Sequence, residues 1–228
     1  MIVVPGALGA PADRLLAALV ARGESLRTLV GAEDAPAETD TLVLAPGAFD
    51  TDRVCAMLAR HPVRVLVLSR LGAHPDARAS ALQRLWALEE SVRASGAPVL
   101  TLRLAPLVGP LSPLWRMLRS APALPRGGRT LLNPVAERDA VETLVRALAD
   151  TRPWRPHEDW YEVAGPEPMT LAELRDLAVR AGGPREGGAW EPALEEMAEH
   201  RLAEAAPWLE RFAMTATPIA AEVAAWAA

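Results

Sequence analysis

Lysine is missing from this sequence. All 24 basic residues are arginine. That excludes Schiff-base chemistry, a phosphate loop built on lysine, and any proton relay pairing tyrosine with lysine. Cysteine occurs once, as Cys55, so neither an internal disulfide nor a cysteine-rich zinc site can form. Tyrosine also occurs once, as Tyr161. The four histidines (His61, His74, His157, His200) are far apart, with no HxH or HxxxH spacing, and no metal site is expected. No apolar run reaches the roughly 18 residues of a membrane span. Met1 leads straight into Ile2-Val3-Val4 without a basic leader, so the expectation is a cytoplasmic protein that does not meet a membrane. An excess of positive charge is missing too. The net charge is -5, which argues against nucleic-acid binding and against a polybasic membrane anchor. Arginine without lysine, amid abundant alanine and proline, suggests a GC-rich bacterial genome.

The 228 residues are 50% hydrophobic and 23% charged, ordinary for a globular protein that needs no covalent staple. Short apolar runs alternate with helical patterns. Strands are predicted at 2–4, 25–30, 41–45, 63–68 and 99–104, and helices at 12–22, 52–60 and 79–94. Continuous apolar strands separated by helices imply a parallel sheet covered on both faces, hence a doubly wound α/β fold. The second half is less regular. Helices are predicted at 114–119, 139–149 and 171–181, the last with Thr170 as N-cap and Glu173 reaching back to it. Strands are predicted at 130–132 and 160–163, a loop at 182–188, and amphipathic helix from Trp190 onward through Met197, Leu202, Trp208 and Phe212. The expected organisation is a core over 1–150 and a small, mostly helical part over 151–228 packed on it.

The opening VVPGALGAPADRLLAALV carries Gly6, Gly9 and Ala12 in a GxxGxx(G/A) pattern after the first strand. The first glycine permits a tight turn, the second lets backbone approach a pyrophosphate, and the third position packs helix on strand. Further on stand VLVLSRLGAH (65–74), ALEESVRASGAPVLTLRLAPLVGP (87–110), PVAERDAVETLVRAL (134–148) and WYEVAGPEPMTLAELRDLAV (160–179). In this order the motifs resemble the short-chain dehydrogenase/reductase superfamily, in its extended and atypical branches of epimerase/dehydratase-like and NmrA-like proteins. The resemblance implies a Rossmann-like, dinucleotide-binding core. It assigns cofactor contacts to Gly6, Leu8, Gly9, Ala12, Pro46, Gly47, Ser69 and Arg70.

Three departures qualify it. The family's catalytic Tyr-xxx-Lys falls on Ala81 and Leu85, which removes the proton donor and the charge that tunes it. Ser69 is then a remnant of the family's serine, and no catalytic residue is assigned. Between the second and third strands lie only residues 31–40, where relatives carry a helix and a strand. Gly31, Glu33 and Asp34 offer no arginine to a 2′-phosphate, which disfavours NADP and leaves NAD possible, with binding weak or lost. Asp13 lies beside the glycine loop, where its charge suits an empty helix terminus better than a bound pyrophosphate.

Other residues take structural readings. Arg103, inside a strand, is expected to be paired. Asp139 reads as an N-cap, Cys55 as packing, and the late tryptophans as core, with Trp226 a possible partner surface. The expectation is an NAD(P)-binding, epimerase/dehydratase-like pseudoenzyme acting as a sensor or interaction protein. The alternative is an NAD-dependent enzyme with a different proton donor. Expected partners are a nucleotide or small molecule, a second copy or another protein.

Overall fold

The computed structural model describes residues 2–5, 17, 20–21, 23, 26–29, 41–44, 51–60, 63–109, 112–120, 123–182 and 197–227. The chain divides into two compact units, Met1–Arg103 with Leu144–Tyr161, and Leu104–Thr143 with Glu162–Ala228.

The first unit is built on strands β1 (Ile2–Pro5), β2 (Leu26–Leu29), β3 (Thr41–Leu44), β4 (Arg64–Arg70) and β5 (Val99–Leu104). With β9 (Trp160–Val163), they make a sheet of order β2-β1-β3-β4-β5-β9. The pairs β1/β2, β1/β3 and β3/β4 are parallel. Helices α1 (Thr51–Arg60) and α2 (Ser80–Ala94) cover one face. There Leu42, Leu44, Val65, Val67 and Val99 pack with Val54, Met57, Leu58, Leu88 and Val92. Val43, Leu66 and Leu68, which alternate with them, are at most 3% exposed, so the sheet is covered on both faces. The predicted α/β class and all five strands are present. Ala17, Val20 and Ala21, within the helix predicted at 12–22, are helical.

The strand order places the topological switch between β1 and β3. The chain leaves β1 in one direction for β2 and returns on the other side as β3. Ligands of open α/β sheets bind at the carboxyl ends beside such a switch. Only residues 30–40 join β2 to β3, fewer than a parallel crossover with a helix usually takes.

The second unit contains β6 (Leu107–Val108), α3 (Pro113–Ser120), a 3-10 turn (Pro125–Gly128), β7 (Leu131–Leu132), β8 (Val135–Ala136) and the first half of α4 (Glu137–Ala149). After β9 come β10 (Met169–Thr170), α5 (Leu171–Arg180), α6 (Ala206–Phe212) and α7 (Ile219–Ala227). β6 pairs with β8 in parallel, and β7 with β10 antiparallel. One apolar cluster joins Val108, Trp115, Leu118, Leu132, Leu171, Leu174, Ile219 and Val223. Helix α3 starts at Pro113, where a missing N–H costs nothing, and Ser112 Oγ accepts the Trp115 N–H at 3.1 Å. The capping box read in the sequence at Thr170 and Glu173 is present in full.

Two expectations need correction. Residues 197–205 are not helical: Arg201 bridges Leu132 in parallel fashion, with Arg201 N–H donating to Leu131 O and Asn133 N–H to Arg201 O. Backbone pairing wins over the helical apolar pattern there, and Leu202 is left 52% exposed. Asp139 is not an N-cap, because α4 already begins at Glu137. Its carboxylate accepts instead from Thr217 N–H at 2.7 Å and Thr217 Oγ1 at 3.0 Å. The reading of the late tryptophans as core is met by Trp208, which is fully buried, and by Trp226, which is half-buried, stacks edge-on against Trp115 at 5.5 Å and donates to Glu222.

Candidate functional site

The candidate site occupies the carboxyl end of β4 and the segment leading into α2. Strand β4 places Ser69 next to last and Arg70 last. Ser69 is 1% exposed, and its Oγ has no hydrogen-bond partner among the described residues. A buried hydroxyl left unsatisfied costs about 1–3 kcal/mol, so this atom is suited to meet a polar ligand atom. Arg70 is half-buried beside it.

Two consecutive β-turns follow. Ala73 N–H donates to Arg70 O at 3.0 Å across Gly72, whose φ of 91° a side chain would resist. Ala77 N–H then donates to His74 O at 3.2 Å. The second turn carries Pro75 and Asp76 at its centre, and proline presets the dihedral required at the first central position. His74 stands at the first position of that turn. Its Nδ1 accepts the Asp76 N–H at 3.2 Å, as an aspartate or asparagine side chain does in such turns. The Asp76 carboxylate lies 3.8 Å from the same nitrogen.

The segment alternates. Ala73, Ala77 and Ala79 are buried in a cluster with Leu82 and Leu85 of α2, while Gly72, His74, Pro75, Asp76 and Arg78 face outward. Leu85, where the sequence resemblance would put a lysine, is 7% exposed and lies inside this apolar cluster. Ala81, where the same resemblance would put a tyrosine, is half-buried one residue before Leu82. One turn further along α2, Glu89 is fully buried and holds two arginines. Arg93 donates at 2.6 Å, and Arg103, from β5, donates through its terminal nitrogen at 2.7 Å and through Nε at 3.1 Å. The guanidinium of Arg103 also lies over the Trp160 ring, 4.9 Å from its centre. Arg103 is therefore paired, as expected of an inward charge. Glu90 also pairs with Arg93, so the two glutamates share a cation rather than forming an acid/base pair.

Cys55 matches its packing reading. Its thiol faces the carbonyl of Ser91, 3.6 Å away, and burial, then the nearby Asp52 charge, pushes it above the ordinary thiol range. Tyr161, the single phenol, sits on β9 and donates to Asp159 at 3.3 Å. Gly6, Leu8, Gly9, Ala12, Asp13, Pro46, Gly47 and residues 31–40 lie outside the described residues. Of the predicted cofactor contacts, the structure thus brings together Ser69 and Arg70 at one strand end. The sequence reading assigned no role to the pairing of His74 with Asp76. Their signal was the His-Pro-Asp spelling of a turn immediately after a strand. Among the described residues, no cluster of potential metal ligands occurs, and no helix is long and apolar enough to cross a membrane.

No family model and no curated protein matches this sequence. Solved structures do match the fold. MoeE5 in complex with UDP-glucuronic acid and NAD is 16% identical, with a TM-score of 0.75, covering 99% of this chain and 98% of that one. TunA, an NAD-dependent NDP-hexosamine 5,6-dehydratase involved in tunicamycin biosynthesis, is 14% identical, with a TM-score of 0.73 and coverage of 99% and 96%. UDP-glucuronic acid 4-epimerase from Bacillus cereus, in complex with UDP-glucuronic acid and NAD, is 11% identical, with a TM-score of 0.69 and coverage of 99% and 97%. At these identities the likeness is one of architecture: the chain has the Rossmann-like α/β fold of NAD-dependent sugar epimerases and dehydratases.

Proposed function

We propose that this chain is an NAD-binding protein of the epimerase/dehydratase type in which the tyrosine–lysine relay does not operate. The observation that carries the reading is the apolar cluster around Leu85. Where a relay would need a phenol and an ammonium, α2 offers Ala81 and a leucine packed under three alanines. The open α/β topology supports dinucleotide binding at the carboxyl ends, and the fold neighbours MoeE5 and the Bacillus cereus epimerase hold NAD and a UDP-sugar. The acids that follow β2 in sequence, Glu33 and Asp34, disfavour a 2′-phosphate and so favour NAD over NADP. Binding without the relay describes a sensor or an interaction protein. A second reading, an NAD-dependent enzyme with another proton donor, is favoured by His74 and Asp76 at the end of β4.

Calorimetric titration with NAD, NADH, NADP and NADPH tests the first reading. Heat is expected with NAD or NADH, at a Kd near 100 µM or about −5.5 kcal/mol. No heat with any of the four overturns it, and preference for NADP overturns the cofactor assignment.

A further inference from the structure

We infer that His74 is the proton-transfer residue of this chain, with Asp76 as the residue that positions it. The inference rests on the second reading above, hydride exchange with NAD, and deepens it by naming the group that replaces the missing phenol.

Oxidising a sugar carbinol sends a hydride to NAD and leaves the hydroxyl proton needing a base. Reducing the ketone returns both. Histidine is the side chain best suited to exchange a proton near neutral pH. Among the described residues, His74 is the imidazole that follows a strand's carboxyl end in the parallel sheet. His157 precedes β9, and His200 adjoins β7 in the second unit. His61 lies outside the described residues.

The local geometry gives His74 a defined orientation. Two β-turns and three buried alanines anchor the segment to α2, so the imidazole sits on a fixed base. Its side chain is 63% exposed and Asp76's is 90% exposed, so both groups face outward. Nδ1 is turned toward Asp76, which directs Nε2 away from the turn. A proton on Nδ1 exchanges the contact with the Asp76 N–H for one with the Asp76 carboxylate, 3.8 Å away. That carboxylate then holds Nδ1–H while Nε2 takes the carbinol proton, and the hydride leaves the same carbon for NAD. The products are a ketone, NADH and an imidazolium, and the reverse step restores all three. On the same strand end, the unpartnered buried Ser69 Oγ is a second polar group for the reacting oxygen.

His74→Asn separates proton transfer from a purely structural role in the turn. Asparagine can accept the Asp76 N–H and keep the turn, but it cannot carry a proton. The probes are NAD with UDP-glucose or UDP-glucuronic acid, read as NADH formed in a single turnover. His74→Asn is expected to melt within about 2 °C of the wild type and to lose about 100-fold or more in rate. His74→Ala is expected to lose as much and to regain rate with added imidazole. Asp76→Asn should lower the rate with NAD affinity unchanged, and Asp76→Glu should restore part of it.

A readout independent of turnover is available. Trypsin releases residues 71–78, which contain no other histidine. Diethylpyrocarbonate should modify this peptide in the free protein, and NAD plus UDP-glucose should protect it. Equal labelling with and without the ligands overturns the inference. So does a His74→Asn rate within about threefold of wild type, or no effect of imidazole on His74→Ala. A wild type that binds NAD but forms no NADH with either sugar overturns the inference and leaves the binding reading intact. A protein that binds no NAD overturns the reading beneath it.

Discussion

Glu89 is the residue on which the charge arrangement of the first unit turns. Its carboxylate is fully buried, and two arginines from different elements converge on it. Removing one member of a buried pair leaves the others desolvated without compensation, at a cost of about 3–5 kcal/mol. Glu89→Ala should therefore lower the urea midpoint by an amount equivalent to several kcal/mol, with Arg103 losing its carboxylate and Arg93 left with Glu90 alone. A loss below about 1 kcal/mol would mean that water already serves these guanidiniums. Part of this was legible in the sequence, since a charge inside VLTLRL has to be paired. The partner was not, because Glu89 lies 14 residues before Arg103 and meets it only once α2 is laid on the sheet. Two glycines of the motif segments likewise take their meaning from packing. A Cβ on Gly109 would meet Glu137 Oε2 at 1.8 Å, and one on Gly165 would meet the Pro134 carbonyl at 1.9 Å. The letters GP and AGPE are thus explained by close approaches that no single sequence reveals.

Among the elements, α5 was legible end to end and α4 was not, and the contrast is one of distance along the chain. The α5 cap is local. Thr170 Oγ1 accepts the Glu173 N–H at 3.1 Å, and the Glu173 carboxylate accepts the Thr170 N–H at 2.7 Å and its hydroxyl at 2.8 Å. The backbone hydrogen bond first, and then the hydroxyl, hold Glu173 below the usual carboxylate range. A depressed carboxylate stabilises the folded chain above its unfolded pKa, and this stabilisation is lost as pH falls through the folded value. Thr170→Ala should cost about 1 kcal/mol at neutral pH. The Glu173→Gln penalty, measured by melts across pH, should shrink as acid protonates the carboxylate. A penalty that stays constant down to pH 3 would sink the charge argument and leave only geometry. At α4 the Asp139 contacts come from Thr217, 78 residues downstream, and Arg138 reaches Glu222 of α7 at 2.8 Å. An aspartate near a helix start looks the same in sequence whether it caps its own helix or ties down a distant segment. The same blindness made 197–205 look helical. Its apolar spacing was real, but β7 offered an edge that the sequence does not display.

Over the whole chain, alternation of strands and helices was enough to predict the doubly wound fold, and the sheet bears it out strand by strand. The order around β1 was not readable, since nothing in the short 31–40 link says on which side β3 returns. The observed switch between β1 and β3 is where a dinucleotide would meet the sheet, and that gives the NAD reading a thermodynamic consequence. A ligand that binds only the folded state raises stability by RT ln(1 + [L]/Kd), about 2.7 kcal/mol at a hundredfold excess over Kd. With a Kd near 100 µM, NAD at about 10 mM reaches that excess. For a chain of this length each kcal/mol moves the melting point by roughly 2–4 °C, so a shift of roughly 5–10 °C is expected. On the proposed preference for NAD, read from the acids Glu33 and Asp34 that follow β2 in sequence, NADP at the same concentration should shift it little. Because a melt registers binding whether or not chemistry follows, it tests the proposed NAD binding separately from the proposed proton donor. An equal shift with NADP would remove the role given to those acids, and no shift with either would mean that the fold persists without its nucleotide.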